Sequence, residues 1–535
     1  MSADPLSAPQ ARSLRRKLCF MMFLQFFIWG AWFELGFDYI PKLGFAGWQN
    51  ALVFGAFNVG ALVALFFSTQ FADRKFAAEK FVAFSHLIGG LAILGLFFLP
   101  GQFGTNVGEF AWVKVVEKGD ADTQGVAYLE DKTPVKVNGV AVDWDKLAAT
   151  PDDKKPVTLV LFTGESRSNS KREELRGQPE PLAPFWPFFV LMLLHAVFYV
   201  PTISITNSIA FANLRDPARE FGPVRLWGTI GWIAASWPFI FILVNWAKVP
   251  SMAEVGFVEW IGTALGTSVE GVAAMDLKKY IFLVAGAASL ALAAYSLFLP
   301  HTPPKPATSE ADSLAWVKAA RLLRNPFVAI LFLVTFIDAA VHQSFFFWTF
   351  TFLGPKADGG VVDIPANWVG PVMKIGQLAE IVTMLFLGYV LKRFGWRTTM
   401  GVGVLGHAAR FAVFAFFPEQ VPAVLINVVH GVCYAFFFAT VYIFVDEFFP
   451  KDVRASAQGL FNVLILGVGP FVANIACGEL KGMHTTGGKL AYSPVFQYSM
   501  GAALVGAILL ALFFRPPQFA PKDVNDPAGE APPAV

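Results

Sequence analysis

Long apolar runs, each about the length of a membrane crossing, alternate along the chain with short polar gaps. A spanning helix needs about 20 apolar residues, because the hydrocarbon core is about 30 Å thick and the helix rises about 1.5 Å per residue. Six runs qualify in the first half, at 18–39, 51–71, 81–99, 185–210, 224–246 and 280–299. Six more follow at 327–353, 368–391, 400–417, 421–444, 459–480 and 495–514. The pattern predicts an all-α membrane protein with twelve transmembrane helices in two six-helix halves. Arg12, Arg15, Arg16 and Lys17 precede the first run, which is long, aromatic and without a small-residue cleavage site; it reads as a retained helix, not a removed leader.

Two polar segments interrupt the series. Residues 301–325, with Pro303, Pro304 and Pro306 and then a basic amphipathic stretch, form a linker between the halves 18–300 and 326–515. Residues 101–184 form a charged insertion after the third helix. Within it, Asn138 and Gly139 sit between alternating apolar positions in 135–142, a strong hairpin signal, and a further strand is predicted at 157–162. A small β-rich extracytoplasmic subdomain is expected, with 166–181 as a flexible return.

Positive charge in short loops marks the cytoplasmic side. The basic gaps hold Arg74 and Lys75, Arg215 and Arg219, Lys318 with Arg321 and Arg324, Lys392 with Arg393 and Arg397, and Lys451 with Arg454. Both termini, 1–17 and 516–535, are therefore predicted inside, although Lys248, Lys278 and Lys279 add positive charge to the opposite side. A basic turn follows the second helix at Arg74 and Lys75 and the eighth at Lys392, Arg393 and Arg397. That echo fits parallel repeats of six helices, and equally fits the general basicity of cytoplasmic turns.

Composition narrows the function. Of 535 residues, 55% are hydrophobic and 15% charged, against about 25% charged in soluble domains, which excludes a simple soluble enzyme. Lys+Arg at 41 against Asp+Glu at 39 leaves no basic excess for nucleic acid, and a mean hydropathy of +0.54 excludes a disordered chain. Cys19, Cys433 and Cys477 all lie in apolar runs, implying neither a disulfide framework nor a metal site. There is no P-loop, HExxH, GxSxG or CxxC motif, so no enzyme chemistry and no cofactor is expected. Uphill transport would have to draw on an ion gradient.

Ionisable groups inside lipid are costly and are the default functional candidates. In the fifth helix, Arg225, Thr229 and Trp232 place a cation, a hydroxyl and an aromatic ring on one face; Arg225 could equally snorkel to the interface. In the eighth, Lys374, Gln377 and Glu380 recur at three-residue steps. Glu380 lies beyond easy snorkelling, so it must face a cavity, hold a proton, or pair with Lys374 or Arg410 in a helix-locking ion pair. Gln25, Glu34, Asp38, His86, His195, Asn207, Asp338, His342, His407 and Arg410 are also intramembrane polar groups. Gln343, with Phe346 and Phe347, offers an amide beside aromatic faces, suited to a flat polar ring or to an ordinary interhelical hydrogen bond.

These residues resemble the nucleoside:proton symporter branch of the major facilitator superfamily. The likeness rests on Phe23, Gln25, Trp29, Gly30 and Trp32 in the first helix and on Tyr199, Pro201, Thr202 and Asn207 in the fourth. It continues through Pro223, Arg225, Trp227, Gly228, Thr229 and Gly231, then Leu299, Pro300, His301 and Pro303. In the second half it rests on Gly376, Gln377, Glu380, Arg410, Arg454, Ser456, Gln458 and Gly459. The resemblance covers the helical core and not the insertion.

It implies a major facilitator fold and a nucleoside site between the halves, with alternating access driven by protons across the cytoplasmic (inner or plasma) membrane. Arg225, Thr229 and Trp232 would contact substrate, and Gln343, Gln377 and Glu380 would complete the site, with Glu380 and Arg225 serving proton coupling. Phe346 stands where the family has an asparagine, and Lys374 is an added cation. In the tenth helix, where the family has an aromatic pair and an aspartate, the chain reads Tyr434, Phe436 and Phe438, with Phe436 at the aspartate position. Tyr434 and Phe346 join the expected substrate contacts. Two other functions stay open: transport of a sugar or modified nucleoside, or a membrane receptor whose insertion meets a ligand or partner.

Overall fold

The computed structural model describes residues 8–43, 45, 47–67, 76–99, 184–215, 217–304, 321–449, 454–486 and 489–515, with five short strands between 113 and 175. In lipid every backbone polar group must find its partner internally, so apolar runs become helices. The first half contains α1 (Ala8–Tyr39), α2 (Gly47–Phe67), α3 (Ala78–Phe97) and α4 (Phe185–Asn213). The fifth predicted run is broken into α5 (Pro217–Ala234) and α6 (Trp237–Ile242), with the Ser236 hydroxyl donating to the Ile233 carbonyl at 2.9 Å in the break. Next come α7 (Met252–Gly266), kinked at Gly256, α8 (Gly271–Lys278) and α9 (Tyr280–Ser296). The sequence pattern had left α7 and α8 as loop, since neither is long enough to span.

The second half opens with α10 (Pro326–Leu353) and α11 (Ala366–Met373). Helix α12 (Ile375–Phe416) merges the eighth and ninth predicted runs across Gly395, whose φ of 75° turns the chain sharply where a side-chain-bearing residue would be strained. Then α13 (Gln420–Phe448) contains a π-helical turn at Tyr434–Ala439. The next rod is α14 (Ala457–His484), with a second π-helical turn at Val463–Val468, and α15 is Tyr492–Phe513. Nine stretches of the described residues are long and apolar enough to cross a membrane.

Within the insertion, Lys136–Val137 and Val140–Ala141 pair antiparallel, with Val137 opposite Val140, on either side of the predicted turn. Leu159–Thr163 pairs antiparallel with Lys171–Leu175, so part of the expected flexible return is a strand. Asp73, Arg74, Lys75, Lys318 and Lys451 and most of the linker lie outside the described residues.

Helix α1 packs on α5 and α9, α3 on α4 and α9, and α2 on α4. In the second half α12 packs on α13 and α15, and α10 on α14 and α15. The halves meet where α1 touches α10 and α2 touches α14. Four first-half helices are joined by buried polar groups: Gln25 donates to the Thr202 hydroxyl at 2.9 Å, and the His86 ring bridges Gln25 and Ser289, each at 3.0 Å. His195 bonds the Gly89 carbonyl at 2.9 Å. Such bonds contribute roughly 1 kcal/mol each inside a membrane.

Candidate functional site

The helix kinks and crossings set where each candidate side chain stands. Arg225, on the α5 face turned to α1, lays its guanidinium over the Phe26 ring at 3.9 Å. Across the junction, Glu380 and Tyr434 are its electrostatic neighbours. Glu380 is brought there by a backbone crossing: a side chain at Gly431 of α13 would collide with the Ala379 and Glu380 backbone of α12. Tyr434 projects from the π-helical turn, a distortion found often at functional sites.

Beside this group lies an aromatic wall. Trp232 meets Trp29 edge to face at 5.2 Å and Phe33 at 6.1 Å, and Phe33 meets Phe346 of the second half at 5.3 Å. Gly30, Glu34, Ser236, Phe239, Asn367 and Gly370 line a crevice between the halves. Thr229 is half-buried on α5.

Lys374 does not pair with Glu380. It stands at the junction of α11 and α12, is 2% exposed, and binds Glu34 of α1 at 2.7 Å, with its ammonium 4.4 Å above the Trp232 ring. Arg410 does not pair with Glu380 either: its guanidinium donates to His430 at 2.6 Å and His407 at 2.8 Å. The α11–α12 break turns Lys374 toward the first half, and the Gly431 crossing turns Glu380 toward Arg225, so the helix-locking pair among the three readings of Glu380 does not form. Gln377 meets His430 at 3.4 Å, and Gln343 donates to Asn474 of α14 at 3.0 Å, the interhelical bond that was one of its two readings.

A second buried charge group ties the halves together. Lys278, read from sequence as a loop cation, is 2% exposed and donates to Asp38 at 2.7 Å and to Asp358 at 2.9 Å. Lys42 and the Thr351 hydroxyl also donate to Asp38, at 2.8 and 2.9 Å. Nearby, the Trp368 indole donates to the Leu265 carbonyl at 2.7 Å, and the Ala366 amide to the Ser268 hydroxyl at 3.2 Å. Buried pairs of this kind fix geometry more reliably than they add stability. The sequence held one signal for them: acids in the first apolar run and unexplained lysines in later ones. It held none for His430, which went unremarked.

The family described as Nucleoside H+ symporter matches residues 12–116, 181–254 and 247–519, passing over 117–180. The xanthosine permease of Escherichia coli (strain K12) is 25% identical over 520 residues, covering 94% of this chain and 96% of the permease. The nucleoside permease NupG of the same organism is 25% identical over 339 residues, covering 61% of this chain and 74% of NupG. A crystal structure of the nucleoside transporter NupG overlays with a TM-score of 0.65 at 21% identity, covering 94% of this chain and 100% of NupG. A D-xylose-proton symporter overlays with a TM-score of 0.54 at 11% identity, covering 94% and 98%. Low-identity overlays speak for fold alone, and the fold is that of the major facilitator transporters. The chain is a multi-pass membrane transporter rather than an enzyme, and it belongs to the nucleoside H+ symporter family.

Proposed function

We propose that this chain imports a nucleoside together with protons, by alternating access between two six-helix halves that supply twelve spans. The observation that carries the reading is the grouping of Arg225, Glu380 and Tyr434 at the junction of the halves, beside the wall of Trp29, Trp232, Phe33 and Phe346. Stacked rings suit a nucleobase, and a carboxylate with a guanidinium suits ribose hydroxyls and base edges. Glu380 is the proton-responsive group, and Arg225 offsets its charge when the proton leaves. Trp232 stacks on the base, Thr229, Gln377 and Tyr434 hydrogen-bond the substrate, and Phe346 adds a second aromatic face. Gln343, held by Asn474, supports the site from behind.

The protein sits in the cytoplasmic (inner or plasma) membrane with both termini inside. The end carrying α7 and α8 is then extracytoplasmic, and the Lys278, Trp368 and Lys374 contacts close it, an arrangement that opens inward. Residues 101–184 form a β-rich extracytoplasmic unit, supported by the strand pairs there, and offer a surface for a partner. Phe346 and the Glu34–Lys374 pair favour a second reading within transport, a modified nucleoside or a sugar.

Uptake of radiolabelled uridine and adenosine into proteoliposomes, with and without an inward proton gradient, tests the proposal. Gradient-dependent accumulation is expected, with competition by nucleosides and not by sugars. Glu380→Gln is expected to lose uphill accumulation while keeping exchange; full accumulation by that variant would overturn the role of Glu380.

A further inference from the structure

Behind the junction of the halves, the second half buries a cluster of ionisable groups that substrate binding does not use. Asp338 and His342 lie one turn apart on α10, His407 and Arg410 on α12, and His430 on α13; Asp338, His407 and Arg410 are 0% exposed. Both carboxylate oxygens of Asp338 lack a hydrogen-bond donor among the described residues, as do His407 Nε2 and Gln377 Oε1 lack partners. Buried polar atoms are nearly always satisfied, so such a concentration of unsatisfied ones needs an explanation.

The hydrogens can be assigned from the chemistry of the partners. A guanidinium only donates. Arg410 Nη2 meets His407 Nδ1 at 2.8 Å and Nη1 meets His430 Nδ1 at 2.6 Å, so both rings accept at Nδ1 and carry their hydrogen on Nε2. His407 Nε2–H then faces Asp338 Oδ2 at 3.6 Å, one small movement short of a hydrogen bond. His430 Nε2 lies 3.4 Å from Gln377 Nε2, and turning the Gln377 amide over would bring its unpartnered oxygen to the His430 Nε2 hydrogen. Gln377 is three residues from Glu380 on α12. Approaches of 2.6–3.6 Å thus lead from Asp338 through His407, Arg410 and His430 to a residue of the proposed nucleoside site.

We propose that Asp338 is a second proton-binding site of the transport cycle, additional to Glu380 and linked to the substrate through His407, Arg410, His430 and Gln377. With a proton, the carboxyl is a neutral acid and asks for no donor. Without it, the carboxylate draws in His407 Nε2–H while the Arg410 charge compensates it, which shifts Arg410 relative to His430. The proton binds one carboxylate oxygen from water and returns to water on the other side; no other bond changes. Among the described residues, His342 stands one turn along α10 from Asp338 with its ring 5.5 Å from that of His407, and the Cys433 thiol of α13 is within electrostatic reach of Asp338. Helices α14 and α15 bring Asn474 and Ser499 to α10 further along from Asp338, where Gln343 and Ser344 engage them.

The inference rests on proton-coupled nucleoside uptake and is read as stoichiometry. At an imposed pH difference of one unit and no membrane potential, two protons per nucleoside hold about a 100-fold gradient and one holds about tenfold, since each tenfold step is one fixed increment of free energy. The wild type in proteoliposomes is expected to balance at two protons per uridine, and Asp338→Asn, which keeps the shape of the neutral acid, at one fewer. A wild type that balances at one proton overturns the inference whether or not the variant folds. So does an active Asp338→Asn protein with unchanged stoichiometry. Absence of any gradient-driven nucleoside uptake by folded wild type would instead remove the transport reading, and this inference with it.

Discussion

Gln25, His86, Thr202, Tyr199 and Ser289 in the first half close on one another through hydrogen bonds, whereas Asp338, His407 and Arg410 in the second half are equally buried but leave polar atoms unmatched. The first set is built from amides, hydroxyls and one imidazole; the second holds an acid and a guanidinium. A closed neutral network has nothing to gain from a change of charge, because every donor already has an acceptor. A donor-poor carboxyl beside a fixed cation has two arrangements of its own, with and without a proton. The difference assigns rigidity to the Gln25–His86 network and proton chemistry to the Asp338–Arg410 cluster, although both use polar side chains inside lipid, where each is expensive.

The largest effect is expected at Gly431 of the second half, where any side chain would strike the α12 backbone that positions Glu380. Gly431→Val should yield no folded, monodisperse protein, while Gly478→Ala, at a glycine with open space around it, should behave as wild type. A folded Gly431→Val protein would mean that the crossing is looser than described.

Next in size is the link between the halves. Removing one partner of a buried ion pair typically costs about 3–5 kcal/mol, and replacing both restores much of it. Lys374→Met should therefore lower the thermal midpoint strongly, and the double change Glu34→Gln with Lys374→Met should recover most of the loss. Equal stability of all three proteins would show that the pair is solvated in the membrane-embedded protein.

Within the first-half network, His86→Ala strips partners from Gln25 and Ser289 and should cost about 1–3 kcal/mol. Its proton stoichiometry should stay that of the wild type. A change there would erase the contrast between the halves. The smallest effect is expected at the insertion: excision of 117–180, the part the family match passes over, should leave uridine uptake intact. Lost uptake in a folded protein would give that segment a part in delivering substrate.

What could be read from the sequence follows what lipid demands. The long runs announced α1, α4, α10 and α15 because hydrocarbon tolerates nothing else there. Asn138 and Gly139 announced the pairing of Val137 with Val140, since that turn chemistry fixes register. The short helix α7 escaped because its length falls below a span, and Gly256 splits it. Lys278 was misjudged for a different reason: its partner Asp38 is 240 residues away, and charge beside an apolar run looks the same in a loop and in a buried pair. For the site, the resemblance brought Arg225, Glu380 and Tyr434 forward as a set, and the three lie within electrostatic reach of one another. The partners of Lys374 and Gln343 were not legible, because the α11–α12 break and the α10–α14 contact decide which way those side chains point.

The most direct test of the account is external pH in lightly buffered proteoliposomes after uridine is added with no gradient imposed. Alkalinisation of the medium is predicted for wild type and for His86→Ala, with a smaller shift per uridine for Asp338→Asn. Uridine entry without any proton movement, or a reduction by His86→Ala equal to that by Asp338→Asn, would contradict it.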